Sequence, residues 1–338
     1  MAAIKHRIIL GMMTFGPPEV VFSRITTIPE TKKVFQYFKD RGYSELDTAR
    51  LYIEGQQEAF TAEAEYKDYK FNIATKCFPT HQGEHSAVEL PKFLETSLKE
   101  LQTDSVDVYY LHAPDRKTPI IETLQTMDKL HKEGKFKIFG ISNYSAFEVA
   151  EMVTLARAQG LIQPTLYQAR YNCISRNIEP ELIPALRRYG IDIVVYNPLA
   201  GGLLSGKYGK HVKPKDGRFA MDNWVGQIYR SRYFIDSYWD ALDIIEEVAK
   251  KYNLSLPEIA LRWVAHHSAL KLGPASGLEG DGIIIGISSF DQLVSNLDDL
   301  EKGSLPEEVV TALDKAYHTV RGDVAPYYWG QIEFEYKY

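Results

Sequence analysis

Short apolar runs alternate with longer stretches in which apolar residues recur every third or fourth position, from one end of the chain to the other. The short runs, Ile8–Met13, Ser44–Asp47, Phe71–Lys76, Val106–His112, Ile138–Ser142, Leu166–Ala169, Ile191–Asn197 and Gly282–Gly286, read as strands. They are nearly all apolar rather than alternating, as strands covered on both faces are. Between them lie helical patterns. Leu90, Phe93, Leu94, Leu98 and Leu101 make one stripe, and Ile121, Leu124, Met127, Asp128 and Leu130 make another that stops at Gly134. Further helices are predicted over Phe147–Ala158, Pro180–Tyr189, Leu256–His266, Phe290–Leu297 and Pro306–Tyr317. Eight strands, each followed by a helix, predict a parallel sheet. No linker, low-complexity tract or shift in composition divides the chain. The fold class is therefore α/β, with residues 1–338 forming a single (β/α)8 TIM barrel. Residues 200–232 show little apolar periodicity and read as a long loop over the C-terminal face of the barrel.

Composition narrows the chemistry. Of the 338 residues 25% are charged and 45% apolar, an ordinary globular balance. The net charge of −6, without any Lys/Arg block, argues against a nucleic-acid partner. No run approaches the ~18 apolar residues of a membrane span. The start, Met1 to Arg7, leads into only a short apolar stretch, Ile8 to Leu10, too short for a signal peptide. Two cysteines, Cys77 and Cys173, suit a reducing compartment better than a disulfide framework. The expectation is a cytoplasmic protein with no membrane association.

Barrel enzymes carry their chemistry where strands end. The ends here are Asp47, Lys76, His112, Ser142-Asn143, Gln168 and Tyr196-Asn197, polar residues each closing an apolar run. A lone His112 would read as a satisfied core histidine, and Lys76 as a snorkelling surface lysine. So many together read as an active site. In "LDTARLY" (residues 46–52), Asp47 and Tyr52 flank the turn after a strand, where the bland reading is a helix cap and a packed ring. If Tyr52, Lys76, Asp47 and His112 meet at the mouth, that changes. A phenol of reference pKa near ~10 is a poor proton donor in neutral water. A lysine ammonium beside it favours the phenolate, a carboxylate keeps the lysine charged and aimed, and the histidine orients a carbonyl. This set protonates an oxygen on which negative charge grows, as hydride reduction of a carbonyl requires. No side chain supplies a hydride, so a nicotinamide cofactor is implied.

Two other motifs lead elsewhere. "HQGEH" (residues 81–85) has the H-x-x-E-H spacing of some zinc peptidases, but Pro79 and Gly83 place it in a loop, where no helix brings the histidines to one face. "GGLLSGKY" (residues 201–208) nearly spells a phosphate loop, with Tyr208 where a magnesium-holding hydroxyl belongs. Its glycines and Lys207 still suit a phosphate of another ligand. No G-x-G-x-x-G follows the first strand, which removes a Rossmann site.

The chain resembles the aldo-keto reductases, and within them the aflatoxin-aldehyde and succinic-semialdehyde reductase branch. The likeness is carried by "LDTARLYIEGQQE", "IATKCFP", "YYLHAPD", "GISNYSAFEVAE", "LYQARYN", "YNPLAGGLLSGKY", "GRF", "ALRWVAHHS" and "IIIGISSFDQLVSNL", in family order from about Ile8 to Trp329. The resemblance implies an NADP-dependent aldehyde reductase using NADPH/NADP+. Its substrates would be small carbonyl compounds, including dialdehydes, carboxylate-bearing aldehydes and some ketones. It implies Asp47, Tyr52, Lys76 and His112 as the catalytic tetrad. It places Met13 and Asp47 against the cofactor, and Ser142, Asn143 and Gln168 on the nicotinamide carboxamide. Tyr196 would stack on the nicotinamide ring. Asn197, Pro198, Leu199, Gly201, Leu203 and Lys207 match the loop over the pyrophosphate. Arg218, Ser288, Ser289, Gln292 and Asn296 match the adenosine 2′-phosphate end. Many members have an arginine where Gln292 stands, which leaves more of the NADP preference on Arg218 and Lys207. Tyr52, His112, Tyr229 and Arg232 fall at substrate positions, Arg232 one helical turn after Tyr229 if that segment is helical. Relatives of this branch form homodimers. The alternative is a cofactor-binding regulatory subunit of the potassium-channel β-subunit type, which keeps the tetrad. A metal-dependent barrel hydrolase lacks ligands beyond His112 and Asp47.

Overall fold

The computed structural model describes residues 5–336 apart from 211, 213, 215, 216, 222, 223 and 276. Residues 1–4, on which the reading of the chain's start partly rests, and parts of the 200–232 stretch lie outside the described residues. Eight parallel strands close into a barrel in sequence order. They are β1 (Ile8–Gly11), β2 (Glu45–Asp47), β3 (Asn72–Cys77), β4 (Val106–Leu111), β5 (Phe136–Ser142), β6 (Leu166–Arg170), β7 (Asp192–Tyr196) and β8 (Gly282–Gly286). Eleven α-helices are seen among the described residues: α1 (Ile28–Asp40), α2 (Gln57–Glu63), α3 (Leu90–Glu100), α4 (Ile120–Lys132), α5 (Ala146–Gln159), α6 (Leu182–Tyr189), α7 (Trp224–Tyr233), α8 (Asp236–Tyr252), α9 (Leu256–His266), α10 (Phe290–Leu300) and α11 (Glu307–Val320). None of them is long and apolar enough to cross a membrane.

The strand period of two decides what faces the barrel axis. Ile9, Ala74, Val108, Tyr110, Leu166, Val194 and Ile284 form one inner cluster. Two residues further along β1, β3, β6, β7 and β8 the inward positions are Gly11, Lys76, Gln168, Tyr196 and Gly286. The barrel interior thus turns polar toward the strands' C-terminal ends. Tyr110 fills the axis at the expense of its neighbour: a Cβ on Gly140 would meet the Tyr110 ring at 2.3 Å. The opposite end is closed by Arg7, whose Nε and Nη2 donate to the two Glu45 carboxylate oxygens, both at 2.8 Å, while Nη1 donates to the Gly280 carbonyl at 2.7 Å.

Three expectations need correction. Strands β1, β4 and β7 stop one or two residues short of Met13, His112 and Asn197, which therefore sit in the turns above the barrel. The sequence pattern places no helix at α1, α2 or α8, although α1 buries Thr31, Val34, Phe35 and Phe38 in regular helical spacing. The 200–232 stretch is also not one irregular loop. It holds two 3₁₀ turns, Ala200–Ser205 and Gly217–Phe219, and helix α7. Helix α7 buries Val225, Tyr229 and Tyr233 at every fourth position against Phe219 and Tyr238. Aromatic rather than aliphatic residues carry that face, so its period is easily overlooked.

Candidate active site

The site grows from the β2, β3 and β6 strand ends. Asp47, Lys76 and Gln168 are inward-facing and buried, and the chain brings them within hydrogen-bond reach. The Lys76 ammonium donates to Asp47 Oδ2 at 2.7 Å, to the Thr48 carbonyl at 2.7 Å and to the Tyr52 hydroxyl at 3.2 Å. Gln168 Nε2 donates to the other Asp47 oxygen at 2.9 Å. The three N–H bonds of the ammonium thus have three acceptors, so its direction is fixed. Tyr52 opens a short 3₁₀ turn, Tyr52–Gly55, in which Ile53 and Glu54 adopt φ of 48° and 53°. The His112 ring lies edge-on to Tyr52, with centroids 6.1 Å apart.

The electrostatics differ from the sequence expectation in one respect. Burial pushes the Tyr52 phenol well above its ordinary range, Asp47 adds to the rise, and Arg218 offsets part of it. Lys76 was expected to lower it. Asp47, only 2.7 Å from the ammonium, offsets part of its charge, and burial outweighs what remains. Lys76 is itself lowered by burial, against the opposing pull of Asp47. His112 is pushed well below its ordinary value by burial and by Lys76, so its ring is neutral. The buried His112 Nδ1 has no hydrogen-bond partner among the described residues.

A second group lines the ends of β5 to β7. Asn143 takes a left-handed turn, φ 63°, and its amide donates to the His112 carbonyl at 2.7 Å and to the Ser142 hydroxyl at 3.0 Å. The Tyr196 hydroxyl donates to Asn143 Oδ1 at 3.3 Å. Past β7, Asn197 is again left-handed at φ 62°, and Pro198 and Leu199 lead into the 3₁₀ turn that contains Gly201 and the buried Leu203. Met13 is half-buried in the turn after β1, next to Met12, whose N–H donates to the Asp47 carbonyl at 2.9 Å.

The third group is cationic. Arg218 Nη1 donates to Asn197 Oδ1 at 3.2 Å and to the Tyr229 hydroxyl at 3.3 Å. Its Nη2 lies 3.5 Å from where a Cβ on Gly286 would stand, which places the guanidinium beside the end of β8. There Ser289 caps α10, and Gln292 Oε1 accepts from the Ser288 N–H at 2.8 Å and its hydroxyl at 2.9 Å. Asn296 is buried one turn further along, whereas Lys207 is exposed. Arg232 is half-buried and touches neither Tyr229 nor Tyr196 by a hydrogen bond, yet it acts on both electrostatically. Burial would raise Tyr229, but Arg218, the Asn197 hydrogen bond, Arg232 and Arg170 outweigh it and hold the phenol below its ordinary value.

Arg170 was missed from sequence. It is the last residue of β6, 3% exposed, with its Nε unpartnered among the described residues. Its place two residues after Gln168 on an inward-facing strand was the available signal. Phe78 and Trp329 were also missed as parts of the site; Phe78 stands edge-on to His112 at 5.5 Å, and Trp329 to Phe78 at 5.6 Å. The "HQGEH" segment lies in turns between β3 and α3, with His81 in solvent and His85 buried.

A closed eight-stranded barrel with this mouth belongs to a defined class. The chain is a member of the aldo/keto reductase family, whose profile matches residues 7–318, and so is an oxidoreductase acting on aldehydes in a nicotinamide-dependent reaction. It is 40% identical to aflatoxin B1 aldehyde reductase member 2 of Rattus norvegicus, across 97% of this chain and 89% of that one. It is likewise 40% identical to aldo-keto reductase family 7 member A3 of Homo sapiens, across 95% of this chain and 96% of that one. The aldo-keto reductase pigE of Monascus ruber shares 37% identity, across 96% and 97% of the two chains.

Proposed function

We propose that the protein, as one barrel in the cytoplasm, reduces aldehydes to alcohols with NADPH, Tyr52 being the general acid. The observation that carries this is the Lys76 ammonium bridging the Asp47 carboxylate and the Tyr52 hydroxyl at the barrel mouth. The donor set fits the cofactor. Ser142, Asn143 and Gln168 offer the donors and acceptors of a carboxamide's partners, and Tyr196 offers a half-buried ring. Arg218 has no carboxylate ion pair among the described residues and suits a phosphate. When bound, the cofactor supplies a hydride to the carbonyl carbon.

The chain's own residues do the rest. Tyr52 donates a hydrogen bond to the carbonyl oxygen, and its raised pKa keeps the phenol protonated until charge builds there. Neutral His112 orients the same oxygen. An unprotonated Nδ1 is cheaper to leave without a partner than an N–H, so the ring carries its proton on Nε2 and can donate. As the proton leaves Tyr52, the phenolate forms 3.2 Å from Lys76, where the ammonium stabilises it. Asp47 and the Thr48 carbonyl hold Lys76 in that position. Following the loss of nicotinamide absorbance with a panel of aldehydes tests the reading. Turnover with stoichiometric alcohol is expected; NADPH binding without turnover on any aldehyde would favour the regulatory-subunit alternative.

The substrate end supports a preference for anions. Beyond Arg218, both Arg232 and Arg170 act on Tyr229 electrostatically, and neither has an ion pair with a carboxylate among the described residues. A carboxylate-bearing aldehyde such as succinic semialdehyde should therefore have a lower KM than a neutral aldehyde of similar size. Arg232→Ala should raise the anionic KM by about three- to tenfold, the worth of one half-buried ion pair, with a smaller change in kcat. Steady-state curves on both substrates check this, and equal losses on the two would make Arg232 structural.

A further inference from the structure

After α11 the chain returns as a tail across the barrel mouth, and two buried arginines hold it there. Arg170 Nη2 donates to the Ala325 and Pro326 carbonyls at 2.5 and 3.1 Å. Arg116, in the turn after β4, is 6% exposed and grips Glu148 of α5, itself 1% exposed, through Nε and Nη2 at 2.7 and 3.1 Å. That leaves Nη1, which donates to the Trp329 and Gln331 carbonyls at 2.7 and 2.8 Å. The residue between those carbonyls is Gly330, at φ 70°, and a Cβ there would stand 3.2 Å from Nη1. The tail's backbone is thus shaped around one guanidinium nitrogen. On the other side the Trp329 N–H donates to the Asn143 carbonyl at 2.9 Å, and Asn143 in turn binds the His112 carbonyl.

What this fixes is a row of rings. From the proton donor outward, Tyr52, His112, Phe78 and Trp329 stand edge to face, at centroid distances of 6.1, 5.5 and 5.6 Å. Trp329 ends the row at the rim with 36% of its surface open. The row leads from the two groups that would hold an aldehyde carbonyl to the rim, and a flat ring would match such an aromatic wall better than a short alkyl chain.

We propose that Arg116, pinned by Glu148, is a positioning residue that acts through Trp329 to favour aldehydes carrying an aromatic ring. This rests on the aldehyde-reductase reading above for its kinetic consequence, but not for the strap itself. The charge on Arg116 is already balanced by Glu148, so its hold on the tail carbonyls is a matter of geometry, which a lysine cannot reproduce.

The test uses the full chain with Trp329→Ala, Arg116→Lys and the double variant, on benzaldehyde and propanal. Arg116→Lys keeps a cation beside Glu148, which avoids a buried unpaired carboxylate. In Trp329→Ala the ratio of kcat/KM for benzaldehyde to that for propanal should fall about tenfold, the upper worth of one aromatic contact, mostly through KM. Arg116→Lys should lower the ratio in the same direction, and the double variant should be no worse than Trp329→Ala alone, because Arg116 acts through that ring. Equal losses on both aldehydes, or multiplied losses in the double variant, would overturn the proposal. Hydrogen exchange is read alongside. Residues 327–332 should exchange faster in Arg116→Lys while the barrel strands keep their protection, and unchanged exchange in the tail would refute the strap. If the wild type reduces neither aldehyde, the functional reading fails, and the exchange result still decides the strap.

Discussion

Tyr52→Phe should bind NADPH as the wild type does and reduce aldehydes at least ~10²-fold, and up to ~10⁴-fold, more slowly, the usual contribution of general acid catalysis. The substitution removes a single oxygen from a ring that still stands against His112. The cofactor-side groups at Ser142, Asn143 and Tyr196 make no hydrogen bond to that oxygen. Fluorescence quenching by NADPH and steady-state turnover, measured on the same preparation, separate the two effects. Lys76→Met should act in the same direction for a different reason. The phenol remains, but the phenolate it becomes has lost the ammonium at 3.2 Å, and Asp47 is left buried without its cation. The pH dependence follows from the sign of the Tyr52 shift. A phenol pushed up by burial stays protonated as pH rises, so reduction should not lose its acid anywhere near neutrality. A wild-type turnover rate in Tyr52→Phe would remove Tyr52 from the chemistry.

The second large effect concerns cofactor choice. Removing Arg218 should weaken NADPH roughly 10- to 150-fold, since a charge-assisted hydrogen bond contributes about 1.5–3 kcal/mol, and should leave NADH nearly unaffected. Gln292 has its Oε1 committed to Ser288 and brings no charge. Lys207 is exposed, and an exposed ion pair contributes little. Arg218 already lies beside Gly286 and can present a planar fork to a phosphate. Titrating both cofactors into wild type and Arg218→Ala checks the claim; equal losses would assign Arg218 to packing against Tyr229 instead.

Much of this site was legible because a barrel translates strand ends into neighbours. Asp47, Lys76 and Gln168 are far apart in sequence, yet each closes an apolar run on the inward side, and the structure joins them by direct hydrogen bonds. What was not legible has three physical origins. Arg170 was lost because its strand was ended one residue early, at Ala169, although the inward period continues through it. Helix α7 was lost because Tyr229 and Tyr233 carry its buried face among arginines. The direction of the Tyr52 shift was misjudged because burial, not adjacency in a motif, decides it. The tail is a fourth kind of case. Nothing local to Trp329 announces a partner in Phe78, and only the folded chain brings Arg116 to the Trp329 carbonyl.

The central claim is that Tyr52 supplies the proton as a hydride reaches the carbonyl carbon. A single-turnover experiment tests it most directly, with enzyme in excess over NADPH, a saturating aldehyde, and alcohol quantified against the loss of reduced nicotinamide. The account predicts one alcohol per NADPH consumed in the wild type, and on the same timescale almost none in Tyr52→Phe, whose NADPH remains bound. Equal rates of NADPH oxidation in the two proteins would contradict it.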